Sequence, residues 1–219
     1  MSPLGSSGEG MQLSELPKSI VIVGHGPSLL SRRLGNEIDS FDVVIRQKRC
    51  QDSLRYPEIY GTKKSVVCGS WTIAPELPNV GAGEVWAFLD SRHANVSDAA
   101  IREAQERIPC RIDRALCDYW NRYYRARRKP YTRPRGTQEF DPLGHPHLSA
   151  GFHTLLYACE FLKPSIVTLA GFDNIESGSF TWSITRGPEW SMYPDHRWDI
   201  EHELLVDVCD EYNVEIAFL

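Results

Sequence analysis

The stretch SIVIVGHGPSLL, Ser19 to Leu30, decides the fold. A short run of apolar, β-branched residues, Ile20–Val23, breaks abruptly into Gly24, His25, Gly26, Pro27 and Ser28, and helix-compatible residues follow. Uniformly apolar short strands belong to parallel sheets covered on both faces. Glycine tolerates positive φ, and a new helix brings its positive N-terminus to such a turn, so free N–H groups there can face an anion. Two readings stand open on this stretch alone: an ordinary strand-to-helix turn of an α/β protein, or a cradle for a phosphate-bearing ligand.

Working outward, five more strand-like runs follow, at Val43–Arg46, Ser65–Cys68, Val85–Leu89, Ile166–Ala170 and Val214–Phe218. Helical patterns lie between them, notably at Ser97–Arg107, Gly151–Leu162 and Asp199–Tyr212. The alternation predicts a single Rossmann-like, doubly wound α/β sandwich with a mostly parallel sheet and ligands at the C-terminal ends of the strands. A chain of 219 residues that is 42% hydrophobic can bury one such core. Residues 1–16 open with a small, polar, Gly- and Ser-rich run and read as a disordered leader, leaving 17–219 as one domain. Two stretches fall outside the scheme, near 119–146 and 174–193. Both are rich in Pro, Gly and aromatics, which suits acceptor-binding or lid segments.

A formal net charge of −5 argues against global attraction to nucleic acid or anionic membranes, while leaving room for a local patch. No run is long and apolar enough to span a bilayer, and the first sixteen residues lack the apolar region of a signal peptide. A cytoplasmic location, or a peripheral one at the inner membrane face, is expected. The six cysteines are scattered without a CxxC pair, which predicts reduced, structural thiols rather than a zinc or disulfide framework.

Three segments carry side chains suited to chemistry. Between Asp118 and Glu139 no acidic residue stands, while Arg122, Arg125, Arg127, Arg128, Lys129, Arg133 and Arg135 accumulate among Tyr123, Tyr124 and Tyr131. That composition, a positive field with tyrosines as stacking surfaces, fits an anionic acceptor with Arg125, Arg127 and Arg128 as its contacts, and equally a solvated helix face running into a basic loop. In HLSAGFHTLLYACEFLKPSIVTLAGFDN, His147 to Asn174, Ser149 is a candidate N-cap, and Ala150 and Gly151 open a helix where a ligand can approach the backbone. With the turn at Gly26, this makes two helix starts that can converge on one phosphate. Near the C-terminus, His196 precedes a helix and follows an aromatic loop containing Tyr193, a placement suited to a general base. No DxD motif is present, and the spacing of His145, His147 and His153 matches no standard metal pattern, so no metal and no bound cofactor is expected.

In order and approximate spacing, VIVGHGPSL, FDVVIRQKR, YGTKKSVVCGS, LSAGFHTLLYACEFLKPSIVTLAGFDN and the His196 segment leading to EYNVEIAF resemble the sialyltransferases. The likeness is to the bacterial family that decorates lipooligosaccharides and, more distantly, to the animal family, over about Ser19 to Phe218. It implies a glycosyltransferase A-type variant of the fold, a CMP-linked sugar as donor, a glycan or other hydroxyl acceptor, catalysis without metal, and a tendency to self-associate. On that resemblance Gly24, Gly26, Ser28, Ser149, Ala150 and Gly151 form the nucleotide cradle. His196 is the base, Tyr193 lies near the donor phosphate, and Asp173 matches a family position with no assigned role. This chain departs from the pattern at the donor. His25 and Lys48 replace asparagines, another asparagine is missing near Gly69, and His147 stands where bacterial enzymes carry an arginine beside the sugar carboxylate. Exchanged polar groups alter recognition strongly. Two alternatives therefore stay open: a transferase using another nucleotide sugar on nucleic acid, and an inactive nucleotide-binding module.

Overall fold

A computed structural model describes residues 19–47, 54–71, 82–89, 93, 95–107, 110–126, 148–177 and 198–219. Six strands form its sheet: β1 (Ile20–Val23), β2 (Val43–Gln47), β3 (Val66–Ser70), β4 (Glu84–Phe88), β5 (Ile166–Ala170) and β6 (Glu215–Phe218). Their order is β4-β3-β2-β1-β5-β6, and every neighbouring pair is parallel. The chain steps outward from β1 to β4, then crosses to the other side of β1 to lay down β5 and β6. The direction of winding thus reverses between β1 and β5, where open α/β sheets leave a crevice outside the strand ends.

Eight helices accompany these strands among the described residues: α1 (Ser28–Arg32), α2 (Gly35–Ser40), α3 (Pro57–Tyr60), α4 (Asp98–Arg107), α5 (Arg114–Ala126), α6 (Ala150–Leu162), α7 (Asp173–Ser177) and α8 (Trp198–Tyr212). Alternate strand residues feed two cores, as the two-residue period of a strand requires. Ile20, Ile22, Ile45, Cys68, Trp86 and Phe88 pack with α5, α6 and α8. On the other face, Val21, Val23 and Val44 pack with Leu29, Leu34, Ile38 and Tyr60. Helix α6 is the centre of the larger core, since ten of its thirteen residues are buried, the mark of a helix that is apolar all round. It ends where Lys163 turns left-handed at φ 46° ahead of Pro164, which cannot continue a helix.

The structure differs from the sequence expectation at both irregular stretches. Residues 119–126 continue α5, and residues 174–177 belong to α7. Helix α5 buries Leu116, Cys117, Trp120, Asn121 and Tyr124, one face at helical spacing. Trp120 Nε1 donates to the Tyr212 hydroxyl at 3.2 Å, and Asn121 Nδ2 donates to the Leu89 carbonyl at 3.2 Å. Tyr124 is therefore a core residue rather than a stacking surface. Residues 127–147 and 178–197, like the leader, lie outside the described residues.

Cys68, Cys110, Cys117, Cys159 and Cys209 are free thiols, and Cys50 lies outside the described residues. Burial pushes Cys68 and Cys159 up to about 12 and Cys117 up to about 11, which leaves them protonated and inert as nucleophiles. No described helix is long and apolar enough to cross a membrane.

Candidate functional site

Beyond the last paired residues of β1 and β5, the two chains stay zipped together. Gly24 N–H donates to the Ala170 carbonyl and Gly26 N–H to the Gly171 carbonyl, both at 2.8 Å. Such close approach leaves no room for side chains. A Cβ on Gly24 would stand 2.4 Å from the Gly171 oxygen, and one on Gly26 would stand 1.6 Å from Asp173 Oδ2. Gly171 itself has φ +70°, the left-handed conformation that glycine adopts without strain.

The Phe172 ring joins this pair of loops to α6. A Cβ on Gly24 would lie 3.0 Å from one edge of the ring, and a Cβ on Gly151 would lie 2.6 Å from another. The same Gly151 position lies 2.9 Å from Nε2 of Gln47, the last residue of β2. The ends of β1, β2 and β5 and the start of α6 therefore meet at the point where the winding reverses. His25, Gly26, Pro27, Ser28, Gln47, Ala150 and Asp173 are partly exposed there, over buried Gly24, Gly151 and Phe172. Gly69 is buried in β3 at the same end of the sheet, beside the Cys68 that pairs with Gln47.

The two helix starts are not equivalent. Helix α1 spans five residues, and the Asp173 carboxylate stands at its start, accepting from Ser28 N–H at 3.5 Å. Helix α6 spans thirteen, so its aligned peptide dipoles supply the larger positive end. Ser149 is its N-cap: the Oγ accepts from Phe152 N–H at 3.1 Å.

Ser149 is also held from behind by Glu201, a residue of α8 that is 0% exposed. Ser149 N–H donates to Glu201 Oε1 at 2.6 Å and Ser149 Oγ meets Oε2 at 2.7 Å. Burial pushes the Glu201 carboxyl up to about 8, although both Ser149 hydrogen bonds favour the ionised form. Sequence reading passed over Glu201. Its signal was a charge on the apolar stripe of Ile200, Leu204, Leu205 and Val208, where an unpaired carboxylate is costly.

Arg46 lies in the block FDVVIRQKR but points away from this crevice, on the β2 face opposite Ile45 and Gln47. Its guanidinium is buried, donating to the carbonyls of Lys63 and Tyr60 at 2.8 Å, with Asp39 3.9 Å away. Burial raises the Asp39 carboxyl, but hydrogen bonds from Lys63 and Thr62 and the Arg46 charge outweigh it and hold the group below its ordinary value. His153 is likewise a core residue, stacked on Phe88 with ring centroids 4.5 Å apart.

The structure thus brings Gly24, His25, Gly26, Ser28, Ala150, Gly151 and Asp173 to one end of the sheet, with Ser149 buried just behind them. Lys48, His147, Tyr193, His196, Arg127 and Arg128, and the side chain of Arg125, lie outside the described residues.

No family model matches the chain. No curated protein matches it either. Among solved structures it is similar to a mammalian sialyltransferase in complex with Gal-beta-1-3GalNAc-ortho-nitrophenol. The TM-score is 0.48 at 15% identity, over 91% of this chain and 69% of that one.

Proposed function

We propose that the protein is a metal-independent, inverting glycosyltransferase that moves a sugar from a nucleotide-linked donor to an acceptor hydroxyl. A CMP-linked sialic acid or related keto-sugar is the first candidate donor. The observation that carries the reading is the meeting of three strand ends with the capped start of α6 at the reversal of the sheet. A nucleotide phosphate fits that arrangement. The sialyltransferase-like order of the sequence blocks supports sugar transfer as its use.

Electrostatics favours one orientation of the donor. The Asp173 carboxylate at the start of α1 repels phosphate, whereas the N–H groups of Ala150 and Gly151 open the longer helix. The phosphate is therefore assigned to α6, and the turn His25–Ser28, Gln47 and Lys48 to the nucleoside or sugar. His196 takes the acceptor proton as the hydroxyl oxygen bonds to the anomeric carbon. The glycosyl–phosphate bond breaks through an oxocarbenium-like transition state. Charge passes to the departing nucleotide phosphate, where the α6 N–H groups and Tyr193 stabilise it. Arg125, Arg127 and Arg128 are assigned to an anionic acceptor.

A thermal-shift screen against CMP, UDP, GDP and their sugars tests the donor. A ligand at a hundred times its Kd stabilises the folded state by about 2.7 kcal/mol. CMP compounds are expected to raise Tm most, with transfer persisting in excess chelator. Stabilisation by UDP or GDP compounds alone would replace the donor, and no stabilisation by any nucleotide would remove the reading.

A further inference from the structure

We propose that Glu201 is a proton-operated positioning residue for the candidate nucleotide site: its carboxylate holds the Ser149 hydroxyl hydrogen inward, and its protonated form releases that hydrogen as a donor. The inference rests on the nucleotide reading above and follows from counting donors and acceptors. An ionised carboxylate only accepts, so both of its contacts with Ser149 have the serine as donor. The hydroxyl hydrogen is then consumed by Glu201, while Ser149 Oγ also accepts from Phe152 N–H.

Adding one proton from solvent to Oε2 reverses the 2.7 Å bond and changes nothing else. Ser149 Oγ now accepts from both Phe152 and Glu201, and its own hydrogen turns away from the carboxyl. Ser149 N–H keeps Oε1 as its acceptor. The protonated state therefore removes a buried negative charge from behind the α6 start and adds one donor there. An arriving phosphate favours that state on both counts, so its binding takes up a proton.

Titratable groups on the packed elements are His153, Tyr157, Cys159 and Glu160 on α6, Asp173 and Glu176 on α7, Glu215 on β6, and Asp199, His202, Glu203, Asp207, Cys209, Asp210, Glu211 and Tyr212 on α8 itself. None of them sets the protonation of Glu201. Burial is the largest influence, and the two Ser149 hydrogen bonds are the others. The resulting position, about 8, places the change near neutrality.

Two measurements test this. Calorimetric titration of CMP from about pH 7 to 9 should show affinity falling up to tenfold per pH unit once Glu201 ionises, the slope for one linked proton. Glu201→Gln keeps an acceptor for Ser149 N–H and a donor for Ser149 Oγ, so its profile should be flat. Parallel profiles in the two proteins overturn the proposal. Without any ligand, the carbon resonance of the Glu201 carboxyl should titrate at higher pH in Ser149→Ala, because a donor to the carboxylate is lost. An unchanged midpoint overturns it as well. A shifted midpoint in a protein that binds no CMP at any pH removes the nucleotide reading and leaves the proton coupling standing.

Discussion

The buried carboxyl of Glu201 makes stability fall as pH rises through neutrality. Its folded-state position is about 8, against an ordinary 4.5. Between those values the folded protein holds a proton that the unfolded chain has lost, so the slope of unfolding free energy with pH is negative. The contribution is complete below about 4.5 and gone above about 8. One pH unit inside the window is worth about 1.4 kcal/mol. Because the change tails off near the upper end, the loss from pH 6 to pH 8 integrates to about 2.3 kcal/mol. For a chain of this size that lowers Tm by roughly 5–9 °C. The decisive quantity is the difference between wild type and Glu201→Gln, which is neutral throughout. Denaturant unfolding of both proteins at half-unit pH intervals measures it. Curves that stay parallel from pH 6 to 8 would refute the placement of an isolated carboxyl in the core.

His196→Ala should lower turnover at least about 100-fold, the lower scale for losing a general base, while CMP binding by calorimetry is retained; undiminished turnover would remove His196 from the chemistry. Gly26→Ala should cost about 1–3 kcal/mol as an overpacked contact and weaken CMP binding, since its Cβ meets Asp173 Oδ2 at 1.6 Å and the Gly171 backbone oxygen at 2.7 Å. A variant with wild-type Tm and affinity would show that these loops are not held together as described. Tyr157→Phe should cost about 1–3 kcal/mol by denaturant titration. Its hydroxyl donates to the Ala87 carbonyl at 2.9 Å and accepts from Asp113 N–H at 3.1 Å, and both groups lose a partner.

The strands were legible because their residues speak for both faces at once. Ile20–Val23 and Ile166–Ala170 were read to the residue, and the other four within two residues at either end, since β-branched apolar runs in a buried parallel sheet have few rivals. Helix α5 was read only as one alternative, a solvated helix face, and its burial was missed because most of its buried stripe is written in Cys117, Trp120, Asn121 and Tyr124, while the arginines between them drew the reading toward a binding surface. The site was partly legible. Gly24, Gly26 and Gly151 were singled out as ligand-facing, but each is also required by a neighbour inside the protein: the Gly171 carbonyl, Asp173 or Phe172. Local sequence cannot show that a glycine answers a side chain far along the chain. Glu201 escaped for a related reason, because its partner Ser149 stands 52 positions earlier.

The zip between the β1 and β5 turns also governs when the crevice can form during synthesis. Ser28 and Asp173 stand 145 positions apart, and the strand that closes the crevice is the fifth of six to be made. On the ribosome the glycine turn emerges before β5 and then waits, without the carbonyls of Ala170 and Gly171 that hold its N–H groups. A chain that stops short of β5 thus has the turn but not the backbone that holds it, and the crevice takes shape only once β5 has followed β1 out of the exit tunnel.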